Sequence, residues 1–396
     1  MMKRIVVLGG GFGGLFTVIN LCKYSEDFQI TLINRDNNFI FTPLLHEVAT
    51  AGIRENNAIY PLKESLTDKR IKIVAAEIEK ADLKKKVVKT SKGNFKYDYL
   101  VIALGSKTNL NVPGLKEYCL ELKTIKHARE IRKAVFDDFK KGDKKISFAV
   151  IGAGPTGVEL AAEMRELGDL LIEKRFKNLN KKDFSVMLLQ RGSSMLPQLP
   201  KNLVSKVEDE LKRLNVDLRY NCDVEKVTKN GIYVNKKLIP CSIKIAAVGV
   251  KASKIKTVPE IYEENGIPVR KDLRVEEFKN IFALGDVALH KDNGEYTPKL
   301  AQAAVQEAKY VAKNIINLIR KDKTEDFKFK MQGFLLSVGQ NYAVAEIKPF
   351  FLSGFFAWLL WRTIYLSKVV GLKNKIYLAY DWTIGLFRRR FVNNGE

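Results

Sequence analysis

Cysteine is scarce in this chain. Four occur in 396 residues, Cys22, Cys119, Cys222 and Cys241, and no two stand in a C-x-x-C spacing. That excludes a disulfide framework and a cysteine zinc site, and reduced, buried thiols in a cytosolic compartment are the expectation. Long apolar runs are also missing. The densest, Pro349 to Trp361, meets Arg362 and Lys368 well short of the ~20 residues that a membrane span requires. Low-complexity tracts and repeats of solenoid period are absent. Acid is under-represented: 45 Asp and Glu face 68 Lys and Arg, a formal net charge of +23. Part of that excess solvates the surface; the rest invites an anionic partner, whether lipid, nucleic acid or an acidic protein. The remaining composition, 46% hydrophobic and 29% charged, is that of a globular chain with a sizeable core in two or three domains. Met1-Met2-Lys3-Arg4 before an apolar stretch imitates a secretory leader, but the glycines between positions 9 and 14 and the lack of a small-residue cleavage site indicate strand, turn and helix instead.

What the chain does have is glycine in two ordered clusters, Gly9-Gly10-Gly11-Phe12-Gly13-Gly14 and Gly152-Ala153-Gly154-Pro155-Thr156-Gly157. Each follows a β-rich run (Arg4 to Leu8, Ile146 to Ile151) and opens a helical stretch, the context in which G-x-G-x-x-G signals dinucleotide binding. The first glycine permits the tight turn, the second lets the backbone approach a pyrophosphate, and the third lets helix pack on strand. The phosphates then rest on the helix N-terminus. Two such clusters imply two dinucleotides on one protein and an electron path between them.

A third signal is Asn280 to Asp286, a buried strand ending in Gly285-Asp286, followed by a helical segment from Lys299 to Ile319. A further strand, Tyr99 to Leu104, ends in Ala103-Leu104-Gly105. In this order the chain resembles the two-dinucleotide-domain flavoprotein reductases. The resemblance implies FAD on Gly9, Gly11, Phe12, Gly13, Gly14, Asn34, Arg35, Thr42, Pro43, Leu44, Ala103, Gly105, Gly285, Asp286, Ala301 and Gln302, with Asp286 on the ribityl chain. It implies NAD(P)H on Gly152, Gly154, Pro155, Thr156, Gly157, Glu159, Gln190, Arg191 and Gly249. No metal site is expected.

Expected boundaries are 1–112 and 260–325 for the FAD domain, 113–259 for an inserted NAD(P)H domain after Pro113-Gly114, and 326–396 for a separate C-terminal segment. The fold class is therefore α/β, two Rossmann-type domains plus an amphipathic helical membrane anchor. In the tail, Ile376, Tyr380, Ile384, Phe387 and Phe391 share one helix face that ends in Arg388-Arg389-Arg390. All three tryptophans, Trp358, Trp361 and Trp382, fall here and read as interface-seeking rings. Residues 349–391 are thus expected to lie in an anionic membrane surface, making a peripheral, monotopic protein with no transmembrane helix.

Three further segments narrow the resemblance: Phe41-Thr42-Pro43-Leu44-Leu45-His46-Glu47-Val48-Ala49-Thr50, Ala301-Gln302-Ala303-Ala304-Val305-Gln306, and Ala357-Trp358-Leu359-Leu360-Trp361-Arg362. With them the whole chain resembles the type II NADH dehydrogenases, single-subunit, non-proton-pumping NADH:quinone oxidoreductases. The resemblance implies a ping-pong reaction, hydride from NADH to FAD and then two electrons to a membrane quinone, at the cytoplasmic face of the cell membrane. It extends to a two-fold dimer through the tail. It makes Glu159, Gln302 and Gln306 the catalytic residues, Glu159 in quinone reduction. The two glutamines stand at i and i+4, so their amides share a helix face and can donate to quinone or flavin oxygens.

Two departures matter. Where the second strand of a dinucleotide unit usually ends in an acid for the ribose, this chain has Asn34-Arg35 and Gln190-Arg191. The second pair lacks the carboxylate that would repel a 2′-phosphate, so NADPH is expected beside NADH. Rival readings are a reductase of a small acidic electron carrier, a sulfide:quinone oxidoreductase-like enzyme, and a nucleic-acid-binding flavoprotein sensor. The first needs no apolar tail, the second relies on cysteines close to the flavin, and the third rests on charge alone, so no nucleic-acid partner is expected.

Overall fold

The β-rich run before each fingerprint becomes the central strand of a five-stranded parallel sheet. In the computed structural model, which describes residues 2–142, 145–347, 349–388 and 390, the first sheet runs in the order Ile281–Ala283, Tyr99–Ile102, Lys3–Leu8, Phe28–Asn34, Ile71–Ala75. The second runs Leu120–Glu121, Ile243–Ala246, Ile146–Ile151, Phe184–Leu189, Val216–Arg219. The central strands are near-continuous Val, Ile and Ala runs, buried as a parallel sheet covered on both faces requires. In each sheet the chain moves outward from the fingerprint strand on one side and returns on the other, which makes the end of that strand a topological switch point. Each return passes through a three-stranded antiparallel meander, Ile78–Asp82, Val87–Thr90 and Gly93–Lys96 in one case, Val224–Thr228, Gly231–Val234 and Lys237–Pro240 in the other.

The chain divides into two compact units. Unit 1 contains residues 1–40, 59–107 and 250–332; unit 2 contains 41–58, 108–249 and 333–396. By packing, residues 326–332 group with unit 1 and 333–396 with unit 2, and the apolar loop with Thr42, Pro43 and Leu44 groups with unit 2. The reason is packing: Pro113-Gly114 and Pro259 punctuate turns, whereas unit membership follows which side chains bury one another, and loop 41–58 and the tail do so within unit 2.

The tail forms an antiparallel sheet, Phe334–Ser337, Ala343–Ile347 and Phe350–Gly354, and two helices, Phe355–Lys368 and Leu372–Arg388. Its three tryptophans are not interfacial. Trp358, Trp361 and Trp382 are 3%, 0% and 4% exposed, because each finds partners for its ring and Trp382 for its indole N–H inside unit 2. Phe350, Phe356, Leu372, Ile376 and Tyr380 instead carry the exposed apolar surface. Arg390 is buried rather than part of a basic rim, while Arg389, Phe391 and the side chains of Phe387 and Arg388 lie outside the described residues. Among the described residues no helix is long and apolar enough to cross a membrane.

Candidate functional site

Both glycine turns are built alike. Gly9 and Gly152 have φ of +97° and +107°, and a Cβ on either would stand 2.3 or 2.5 Å from the carbonyl oxygen of Ala103 or Ala247, just past the returning strand. A Cβ on Gly14 or Gly157 would fall 1.8 or 1.9 Å from the carbonyl oxygen of Gly9 or Gly152. Around Gly11 and Gly154 there is open space, nothing within 4 Å of where a Cβ would be. The helices that follow, Phe12–Leu21 and Pro155–Lys174, have no side chain capping their N-termini. Pro155 opens the second without sacrificing a helical hydrogen bond, and Thr156 beside it is exposed. Each turn is thus an open cradle with unopposed positive dipole, the shape and sign that a pyrophosphate fits. Gly105 and Gly249, on the loops after the two returning strands, also face open space.

The amides that replace the ribose-binding acids brace these turns. Asn34 Oδ1 accepts from Gly10 N–H at 2.9 Å and Gln190 Oε1 from Ala153 N–H at 3.2 Å. Arg35 is held by Glu77 at 3.0 Å. Phe12 packs edge-on against Phe39.

Elsewhere in unit 1, Asp286 accepts from Ser106 Oγ at 2.5 Å, and Gly285 N–H donates to Glu307 Oε2 at 2.5 Å. Burial pushes the Glu307 carboxyl up to about 7, the Gly285 N–H opposing and Asp286 reinforcing. Ala301 begins the helix Ala301–Arg320, close to the expected start, and puts Gln302 and Gln306 on one face. That face is occupied by the chain itself. Gln302 Oε1 accepts from Gln332 N–H at 3.1 Å, and Gln306 both donates to the Lys330 carbonyl (2.9 Å) and accepts from its N–H (3.2 Å).

In unit 2, Glu159, Glu163 and Glu166 stand at i, i+4 and i+7 of the helix Pro155–Lys174 and form one acidic face. Glu159 Oε2 lies 3.5 Å from His46 Nδ1. Burial raises the Glu159 carboxyl well above its usual range and lowers His46 to about 4, so both shift toward their neutral forms. His46 Nε2 meets Ser337 Oγ at 3.3 Å, and the ring neighbours Trp361, which stacks on Tyr365. Arg390 closes the other end: Nη1 on Glu163 at 2.6 Å and on the Thr50 carbonyl at 3.0 Å, Nη2 on Glu166 at 2.9 Å. Burial works to raise Glu163, but Arg390 and then His46 hold it below the usual range, whereas burial carries Glu166 up to about 8. Glu47 accepts from Trp382 Nε1 at 2.9 Å, and burial raises it to about 7 against the pull of Arg362. The Arg362 guanidinium sits 3.7 Å from the centre of the Trp358 ring. Glu47, Glu163, Ser337, Gln340 and Arg362 help line a cavity of about 10 Å3, room for one water. Asp381, fully buried, accepts from Arg54 N–H (2.9 Å) and Nε (2.8 Å) and from Asn57 Nδ2 (2.5 Å), strapping loop 41–58 to the last helix.

Of this cluster only Glu159 was singled out from sequence for chemistry. The i, i+4, i+7 spacing of the glutamates is a readable signal; the pairing of Arg390 with Glu163 and Glu166 is not, since they stand 227 and 224 residues away. The four thiols are free, and burial pushes Cys22 and Cys241 up to about 11 and Cys119 to about 12, which makes none of those three a reactive thiolate.

Comparison with known proteins agrees with this geometry. Residues 3–308 match the pyridine nucleotide-disulphide oxidoreductase family, and residues 331–390 match the NDH2 C-terminal domain. The type II NADH:quinone oxidoreductase Ndh of Mycobacterium tuberculosis is 30% identical, over 98% of this chain and 89% of that one. The type II NADH:quinone oxidoreductase of Staphylococcus haemolyticus is 30% identical over 87% and 90%. The fold is that of NDH2 from Plasmodium falciparum solved with NADH, at a TM-score of 0.91, 22% identity and full coverage of both chains. The sulfide:quinone oxidoreductase of Aquifex aeolicus follows at 0.77 and 20% identity over 99% and 96%. With two open cradles at two switch points, no reactive thiol pair among its four cysteines, and a tail that matches as well, the chain belongs to the type II NADH:quinone oxidoreductase family.

Proposed function

We propose that this protein is a FAD-dependent, non-proton-pumping NADH:quinone oxidoreductase, with FAD held by unit 1 and the nicotinamide dinucleotide by unit 2. The observation that carries this reading is the pair of matched cradles, each open at its second glycine and each at the switch point of its own sheet. The chemistry FAD supplies when bound is two-electron transfer, hydride in and electrons out to quinone. The protein's own part is binding and proton handling. Phosphates lie on the N-termini of Phe12–Leu21 and Pro155–Lys174; Asp286, oriented by Ser106, takes a cofactor hydroxyl. Glu159 Oε2 holds a proton for the quinone oxygen, and His46 Nδ1 at 3.5 Å is its exchange partner. Gln302 and Gln306 reach a quinone or flavin oxygen only by giving up their bonds to residues 330–332.

The exposed Phe350, Phe356, Leu372, Ile376 and Tyr380 rest in the surface of an anionic membrane at its cytoplasmic face, the net charge of +23 adding attraction. Anaerobic titration of the purified yellow protein tests the central claim: NADH bleaches the flavin band and a short-chain quinone restores it. Bleaching without recovery overturns the quinone assignment, and a colourless protein overturns the flavin. Sedimentation with anionic vesicles, lost in a Phe356→Ser, Leu372→Ser variant, tests the surface; a dimer that ignores vesicles makes this face a subunit interface instead.

A further inference from the structure

We propose that Ser337 and His46 relay a proton to Glu159 from Glu47, across the small cavity that Ser337 and Glu47 both line; this rests on the oxidoreductase reading above. All four residues belong to unit 2. Ser337, at the end of the strand Phe334–Ser337, is buried and touches Glu159 and His46 together. Its N–H bonds the Glu159 carboxyl, and its Oγ lies 3.3 Å from His46 Nε2. The other ring nitrogen, Nδ1, lies 3.5 Å from Glu159 Oε2. That contact is long for a hydrogen bond and closes with a small rotation of ring or carboxyl. Burial, with Arg390 behind it, lowers the ring to about 4 over the opposing pull of Glu163 and a bond to the Pro43 backbone. A ring that stays neutral donates from one nitrogen while the other accepts. A hydroxyl does the same with its one proton and two lone pairs, so ring and hydroxyl in series form a proton wire.

Glu47 is the supply. It follows His46 on the helix Leu45–Ala49 and lines the cavity of about 10 Å3 with Ser337, Glu163, Gln340 and Arg362, where one water bridges carboxyl to hydroxyl. Burial, reinforced by Glu163, raises it to about 7 over the opposing effects of Arg362, the Trp382 indole and Arg390, so below that pH it carries a proton. Glu163, the other carboxyl on the cavity, is held below the usual range by Arg390 and His46 and has no proton to give. Glu166 is raised to about 8, but it does not line the cavity, and its oxygens are taken by Gln340 N–H and Arg390. When Glu159 gives its proton to the quinone oxygen, the His46 Nδ1 proton passes to Glu159 and the Ser337 hydroxyl proton to Nε2. The Ser337 oxygen then takes a proton from Glu47 through the water. One proton has moved from Glu47 to Glu159, and no electron with it. Glu47 is left a carboxylate, and the charge of Arg362 stabilises it.

Stopped flow on the flavin-loaded protein separates reduction by NADH from reoxidation by a short-chain quinone. Ser337→Ala removes the hydroxyl and leaves the N–H on Glu159, so reoxidation should slow by about tenfold or more while reduction stays within about twofold. Ser337→Thr, which keeps a hydroxyl, should recover most of the rate. In the parent, reoxidation should fall as pH rises through 7, where Glu47 loses its proton, and Glu47→Gln should lose that inflection. Reoxidation unchanged in Ser337→Ala, equal slowing of both half-reactions, or an inflection that survives Glu47→Gln overturns the relay. A second readout needs no turnover. The chain has three histidines, so 15N-histidine NMR resolves His46, and Ser337→Ala should move its ring resonances and leave the other two in place. A His46 signal that ignores Ser337→Ala overturns the relay even where quinone restores the flavin band. A parent that quinone does not reoxidise overturns the oxidoreductase reading, and the relay to quinone with it, while a His46 signal that still responds keeps the contact between ring and hydroxyl.

Discussion

The two glycine cradles are the same turn made twice, and they differ only in what surrounds them. In both, the first glycine fits under a carbonyl of the returning strand, the third fits against the first, and the second faces open space. In both, an amide from the second strand braces the turn. Beyond that the chemistry diverges. The first cradle is followed by an arginine already paired with Glu77, and its partner loop presents Asp286 with a buried Glu307 behind it. The second is followed by Arg191, exposed and without a partner among the described residues, and its helix carries three glutamates into a buried network with His46, Arg362 and Arg390. The backbone turn is thus the same in both units, and the side chains around it are what differ.

Glycine substitutions break the comparison most sharply. Gly9→Ala forces a Cβ to 2.3 Å from a carbonyl at φ +97°, and the protein is expected to purify without flavin absorbance. Gly152→Ala, with the same clash at 2.5 Å, should keep its flavin and lose reduction by NADH. The opposite pattern would swap the two assignments. Next in size is the carboxyl beside each cradle. Glu159→Gln cannot give up a proton, so reoxidation by quinone should slow by about a hundredfold, the range of general acid catalysis, and more than reduction by NADH does. Equal slowing of both half-reactions in stopped flow would make Glu159 merely structural.

Glu307, the carboxyl of unit 1, should show itself in stability rather than rate. Its folded value of about 7 lies above the 4.5 of an unperturbed carboxyl, so folding takes up a proton. That contribution is complete below the unfolded value and is lost as pH rises through 7, up to about 3 kcal/mol. Thermal melts of Glu307→Gln should therefore gain on the parent between pH 5 and 8; a pH-independent difference would refute the shift. The smallest effect belongs to Arg35→Ala, which should move the ratio of kcat/KM for NADPH over NADH by less than about twofold, against about tenfold for Arg191→Ala.

Much of this was legible in the sequence because it is local. A positive φ, a missing Cβ and a buried parallel strand all leave their mark within ten residues, and the helix expected over 299–319 is found at Ala301–Arg320. The exposed stripe of Ile376 and Tyr380 also follows from helical period alone. The tryptophans did not follow. An amphipathic tail has apolar residues enough for two faces, and period alone does not say which meets solvent.

What the sequence by itself determined is the pair of turns, the two sheets around them and the absence of a thiol redox centre. Only the tertiary structure decided the proton-bearing cluster and the allegiance of loop 41–58. Its defining bonds join residues 340 apart (Arg390 to Thr50), 335 apart (Trp382 to Glu47) and 327 apart (Arg54 to Asp381). Whether a buried carboxyl keeps its proton depends on which cation reaches it through folding, and no local pattern encodes a partner at that distance.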